Sequence, residues 1–178
     1  TWSNIRPEWR FDANSDIGFG NSSFVDPGSG YDPFKVENGV LSITAMPDHT
    51  TSGFPGSWES GLIHTRDSFT QQYGYFEMRA EPADKMGAWD AFWMMPLQVK
   101  DPNNTGEWQE LDIVEHYGHD PGSVYRWIHT TDHTVNANEE RQVTSWHADQ
   151  TTGFHTYGVD WQADKLSFYY DGRFMGSR

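Results

Sequence analysis

Cysteine is absent from this 178-residue sequence. That excludes disulfides and thiol chemistry without fixing the compartment, because a core of this size needs no covalent staples. Basic residues are scarce: 12 Lys and Arg stand against 26 Asp and Glu, a formal net charge of −14. A phosphate backbone is bound by clustered cations that displace its counterions, and with no such cluster nucleic acid is not an expected partner. Long apolar runs are missing too, so no transmembrane helix is expected and the membrane is no partner either. The opening Thr1-Trp2-Ser3-Asn4 does not read as a signal peptide; it fits a mature secreted protein, and an extracellular location is the expectation.

Helical periodicity is lacking in every window, and no repeat or linker divides the chain, so one domain over residues 1–178 is expected. Aromatic rings are plentiful: Trp 9, Tyr 8 and Phe 11, 16% of the sequence. Such flat faces stack well on sugar rings, although core packing claims many of them.

The first forty residues are rich in Gly, Asn, Ser, Asp and Pro and read as loops with short strands. From Gly39 onward, short runs bounded by turn residues have strand length: Val40 to Ala45, Gly61 to Thr65, Tyr73 to Ala80, Ala88 to Met95, Trp108 to Tyr117, Val124 to Thr130 and Tyr157 to Trp161. Leu166 to Tyr170, then Asp171-Gly172 and Arg173-Phe174, reads as a hairpin with a tight turn. Strands at regular spacing without helices point to an all-β fold, an antiparallel β-sandwich or jelly roll of the concanavalin-like kind.

Within this pattern Glu110-Leu111-Asp112-Ile113-Val114-Glu115 does not fit. On a regular strand Glu110 and Asp112 share a face, while Glu115 points to the other. A β-bulge at Ile113-Val114 returns Glu115 to the side of the other two. The glutamate Cα atoms then lie roughly 13 Å apart, and inward-leaning side chains can approach the separation of about 5–5.5 Å used by retaining glycosidases. Three carboxyls so close cannot all ionise freely, so one of them is expected to hold a proton near neutral pH. Two other readings compete: a solvated acidic face, and a calcium site built of carboxylates. Apolar Leu111, Ile113 and Val114 place the strand in the interior of a sheet and favour a cleft.

Parity supplies neighbours for the acids. Trp89, Ala91 and Trp93 fall on one face of their run, Trp108 shares the face of Glu110, and Tyr125, Trp127 and His129 share a face on the next strand. Trp89, Trp93, Trp108 and His129 are therefore candidate substrate-binding residues, with core packing as the alternative for the tryptophans. On Tyr73 to Ala80 the apolar Phe76, Met78 and Ala80 alternate with Tyr75, Glu77 and Arg79. His116 with His119, or His129 with His133, have a spacing that zinc sites use, but loop histidines at such spacing are mostly solvated or satisfied in the core. No metal is assigned.

Taken in order, Ser60-Gly61-Leu62-Ile63, Tyr73 to Ala80, Gly87 to Pro96, Glu110 to Glu115, Phe154 to Trp161 and Phe168 to Gly172 resemble the signatures of glycoside hydrolase family 16. The resemblance implies a β-jelly-roll with an open cleft in which Glu110 is the nucleophile, Asp112 assists and Glu115 is the acid/base. It implies a retaining endo-glycosidase that hydrolyses a β-linked polysaccharide, a β-glucan or a bacterial exopolysaccharide, by double displacement. The extra residue is that of the bulged branch, which includes laminarinases, agarases and carrageenases. Asp32-Pro33-Phe34, Glu37 to Leu41 and the Ser-Gly-Leu-Ile start look most like bacterial glycanases acting on exopolysaccharides of the succinoglycan type. No cofactor is expected; the resemblance admits a structural calcium near the N-terminal loops, for which the sequence names no ligands.

Two departures stand out. The family usually has Pro at the position of Asp90, and its catalytic domains continue past the Asp-Gly hairpin with further strands. A domain truncated at its C-terminal side, or one completed by a second segment or chain, is therefore the expectation. The competing class is a non-catalytic, lectin-like carbohydrate-binding jelly roll that uses Trp89, Trp93 and Trp108 alone. Loops Gln98 to Glu107 and Asp132 to Thr152 are expected to line the cleft and select the sugar.

Overall fold

The computed structural model describes residues 2–5, 21–48, 57–97, 109–132, 137–146 and 151–178. The chain divides into two compact units, residues 1–70 and 71–178.

The first unit carries β1 (Ser22–Phe24), a 3-10 turn over Pro27–Ser29, β2 (Phe34–Glu37), β3 (Val40–Ile43), β4 (Met46–Pro47) and β5 (Trp58–Ser60). β1 runs parallel to β5, and β4 pairs antiparallel on the other side of β5. β2 and β3 form a hairpin whose turn residues Asn38 and Gly39 both have positive φ, 52° and 78°, as a two-residue turn matching strand twist requires. The strand expected over Gly61 to Thr65 lies earlier, at Trp58–Ser60, and of that run only His64 makes a bridge, to Ser3. Gly61 is pressed against the Phe34 ring, which a Cβ would meet at 2.6 Å; this close approach uses the glycine for packing rather than for pairing. The strand expected from Val40 to Ala45 ends at Ile43 as β3, and the short β4 follows at Met46–Pro47.

The second unit carries β6 (Gly74–Ala80), β7 (Trp89–Met94), β8 (Gln109–Tyr117), β9 (Ser123–Asp132), β10 (Ala137–Trp146), β11 (His155–Trp161), β12 (Leu166–Tyr170) and β13 (Arg173–Ser177). They make two four-stranded antiparallel sheets, ordered β10-β9-β8-β7 and β13-β12-β11-β6. Apolar side chains from both sheets meet between them. Ile113 of β8 packs with Val159 and Phe168 of the facing sheet, and Val114 with Tyr157 and Tyr170. Phe76, Met78 and Ala80 point into this core while Tyr75, Glu77 and Arg79 face out, as their alternation predicts. The β12–β13 turn has Asp171 at φ 47° and Gly172 at φ 71°, the expected tight hairpin.

One expectation is corrected. Residues 132–152 are not one cleft loop: Ala137–Trp146 forms β10 and pairs with β9 over ten residues, from Ala137 opposite Asp132 to Trp146 opposite Ser123. Its sequence, ANEERQVTSW, shows no apolar alternation; an edge strand can be held by its ladder rather than by its own propensity.

Candidate functional site

β8 departs from a regular ladder where its sequence does. Asp112 is opposite Trp127 and Glu115 opposite Tyr125, so Ile113 and Val114 together oppose Arg126 alone. The partner on the other flank shows the same slip, with Phe92 opposite Val114 and Trp93 opposite Asp112. A bulge of this kind turns two adjacent side chains to one side, and both Ile113 and Val114 are buried in the core. Glu110, Asp112 and Glu115 are thereby aligned on the opposite face.

Neighbouring strands frame that row. Glu110 pairs with His129, Asp112 lies between Trp127 and Trp93, and Glu115 lies between Tyr125 and Ala91. Each oxygen of Glu115 receives a donor: the Trp89 indole N–H reaches Oε1 at 2.7 Å, and the Tyr117 hydroxyl reaches Oε2 at 2.8 Å. Trp89 remains 45% exposed while Glu115 is only 9% exposed, so the indole both caps the carboxyl and offers a face to solvent. The Tyr117 ring packs against Trp89, at 5.5 Å between centroids, and edge-on against Tyr125, at 5.1 Å.

Asp112 is the most deeply placed of the described acids in the row, 3% exposed. Its Oδ2 lies 3.1 Å from His129 Nε2, and the Trp127 ring stacks on the His129 ring at 5.7 Å. Burial, then the nearby charge of Glu115, push the Asp112 carboxyl up to about 7, against the opposing pull of a hydrogen bond with Glu110. A buried carboxyl beside another keeps its proton because ionising both in a poorly solvated site is costly. The raised value favours a proton on the middle acid near neutral pH.

His129 was expected as a substrate-binding residue; the structure sets it against Asp112. Tyr117 carried no weight in the sequence reading, although its parity, two residues beyond Glu115, places it on the same face. Trp93 stands beside the row, half-buried. Trp108, residues 98–107 and His133 lie outside the described residues. His116 does not face the cleft: it is buried on the core side, with Nδ1 3.3 Å from Asp90 Oδ2. Asp90 Oδ2 also accepts the Ala83 backbone N–H at 2.9 Å, so the residue that stands in place of proline ties the loop before β7 to β8. Among the described residues no group of three or more His, Asp or Glu is arranged to hold a metal ion, and no helix is long and apolar enough to cross a membrane.

A two-sheet antiparallel jelly roll with a row of carboxylates over a bulged strand defines the class of this protein. The chain belongs to Glycosyl hydrolases family 16, whose sequence pattern matches residues 25–177. It is 38% identical over 151 residues to Endo-1,3-1,4-beta-glycanase EglC of Rhizobium meliloti (strain 1021), an alignment covering 82% of this chain and 30% of that protein. Endo-1,3-1,4-beta-glycanase ExsH of the same organism is equally similar, 38% over 152 residues. The chain therefore spans about 30% of the length of these curated relatives. Among solved structures, SCLam, a non-specific endo-beta-1,3(4)-glucanase, superposes with a TM-score of 0.75 at 26% identity, covering 99% of this chain and 64% of that one. A laminarinase from Flavobacterium sp. UMI-01 gives 0.69 at 29% identity, covering 89% and 63%.

Proposed function

We propose that this protein is a retaining endo-glycosidase that hydrolyses a β-linked polysaccharide, with Glu110 as nucleophile, Glu115 as general acid and base, and Asp112 as the neutral partner between them. The observation that carries the reading is the bulge at Ile113-Val114, which brings three carboxylates to one face while its own side chains anchor the strand in the core. In the first half-reaction Glu110 attacks the anomeric carbon as Glu115 protonates the leaving oxygen; in the second, Glu115 takes a proton from water as that water displaces Glu110. A protonated Asp112 lowers the negative charge beside Glu110 and can hydrogen-bond to it.

The similarity to enzymes named for 1,3-1,4-beta-glycans supports a mixed-linkage or exopolysaccharide β-glycan as substrate. A polymer of that kind cannot enter a cell intact, which supports a secreted site of action. The outer strands β10 and β13 end their sheets among the described residues, and a segment or second chain pairing there is part of the proposal.

Incubation with laminarin, mixed-linkage β-glucan, agarose, carrageenan and succinoglycan, followed by product analysis, tests the reading. Wild-type protein should release reducing ends from one of them, and Glu110→Gln or Glu115→Gln should reduce the rate by at least about 10³-fold while binding persists. Binding without release in the wild type would instead identify a lectin-like module.

A further inference from the structure

We propose that Tyr117 is a positioning residue that strengthens Glu115 as an acid by donating its hydroxyl to the carboxylate formed as the glycosidic bond breaks. The inference rests on the assignment of Glu115 given above.

Glu115 must carry a proton in one half of the cycle and lack it in the other. The step that needs help is the first. The proton passes from Glu115 to the glycosidic oxygen, the C1–O bond breaks with its electron pair left on that oxygen, and a Glu110 carboxylate oxygen bonds to C1. Negative charge thereby leaves Glu110 and appears on Glu115. At that moment two donors are already in place, Trp89 Nε1–H on Oε1 at 2.7 Å and Tyr117 O–H on Oε2 at 2.8 Å.

These donors are not equivalent. An indole N–H only donates, whereas a phenol rotates its hydrogen and can also accept. Tyr117 therefore accommodates a proton on Oε2 by turning its own hydrogen away, and donates again once the carboxylate forms, without displacement of a heavy atom. Hydrogen bonds to an ion are stronger than those to its neutral form, so the contact gains strength as charge develops. That is the condition for accelerating the step rather than merely binding the ground state.

The ring is held for this task. Trp89 and Tyr125 pack against it, and His119 lies 5.7 Å away by ring centroid. Tyr125 is itself tied to the β8–β9 turn through its hydroxyl, 2.6 Å from Asp120 Oδ2. Burial and the contact with Glu115 raise the Tyr117 phenol above its ordinary value, so it stays a donor across the neutral range.

The test is Tyr117→Phe in the full chain, assayed on the polysaccharide and on aryl β-oligosaccharides whose leaving phenols range from weakly acidic to 2,4-dinitrophenol. With the polysaccharide, kcat should fall on the order of 10- to 100-fold while KM stays within about twofold. With the dinitrophenyl substrate, whose departure needs no proton, kcat should be unchanged. An equal loss on every substrate would show a merely structural role and overturn the inference, as would no loss on any. If Tyr117→Phe melts early, 3-fluorotyrosine at position 117 carries the test: a more acidic donor should raise kcat selectively for the poor leaving groups, and a uniform effect overturns the inference. Wild-type protein inactive on all these substrates would remove the functional reading and the inference together; an active wild type without leaving-group dependence in the variant removes the inference alone.

Discussion

Replacing Asp112 by Asn leaves the shape of the buried row intact and removes a carboxyl whose value is pushed up to about 7. The rise from 3.8 to about 7 has burial as its first cause and the Glu115 charge as its second. Between those two values the folded state keeps a proton that the unfolded chain has released, so stability falls as pH rises, most steeply midway between them, and levels off above about 7. Below about pH 4 both states are protonated and the Asp112 contribution is fully present; above about 7 it is lost. At ~1.4 kcal/mol per pH unit the whole span amounts to about 4 kcal/mol, an upper bound because coupling with Glu115 shares the charge between two groups. Asparagine has no proton to lose. The difference in unfolding free energy between Asp112→Asn and wild type should therefore grow with pH, reaching about 2–4 kcal/mol in favour of the variant above pH 8. Urea unfolding followed by circular dichroism at four or five pH values measures it. Parallel curves for the two proteins would refute the argument, because they would mean that Asp112 titrates alike folded and unfolded.

Deleting Val114 should restore a regular ladder with Glu115 still opposite Tyr125, at a stability loss of about 2 kcal/mol from the lost core side chain. Inserting an alanine after Val114 should instead turn Glu115 toward the core, so reducing-end release should survive in part in the deletion and vanish in the insertion; equal activities would sink the register argument. Gly118→Ala should lower the melting temperature sharply, because the new Cβ would lie 1.8 Å from the Lys85 carbonyl oxygen, part of a turn that also binds Ala88 N and, through Ala88 O, Gly118 N. A loss of about 2–4 kcal/mol is expected, and differential scanning calorimetry showing less than a few tenths would mean that the turn simply moves away.

The bulge was legible because two parity rules collide within six residues: the acids obey period two as far as Asp112, and Glu115 obeys it only if one residue is absorbed. The neighbours of the acids were legible by face but not by reach. Trp89 belongs to another strand, and its contact with Glu115 depends on the register between β7 and β8, which no local pattern encodes. His129 shows the same limit. Adjacency of β8 and β9 follows from their order in the chain, but the register sets His129 opposite Glu110 and within reach of Asp112, four residues along β9 from Tyr125, the partner of Glu115. β10 was missed for a different reason, since an edge strand without apolar alternation carries its signal in its partner.

The bulge has a second effect that concerns rigidity rather than register. On a regular strand, adjacent residues send their side chains to opposite faces, so two neighbours cannot both enter one core. Here Ile113 enters the cluster with Val159 and Phe168, and Val114 the cluster with Val124, Tyr157 and Tyr170, while Phe92 touches both. The strand is thus pinned to both halves of the core by the two residues that separate Asp112 from Glu115. His116, the next residue facing inward, is pinned as well, through Asp90. An unbroken buried run from Asp112 to His116 follows from this anchoring, and it explains why carboxyls can be held close together without the strand shifting to separate them. Repulsion between close charges is relieved in a flexible segment by movement and in a fixed one by retention of a proton. The raised Asp112 is therefore a consequence of the packing behind it, and substitutions that loosen Ile113 or Val114, such as Ile113→Ala, should lower the pH at which Asp112 ionises even though neither residue touches the carboxyl.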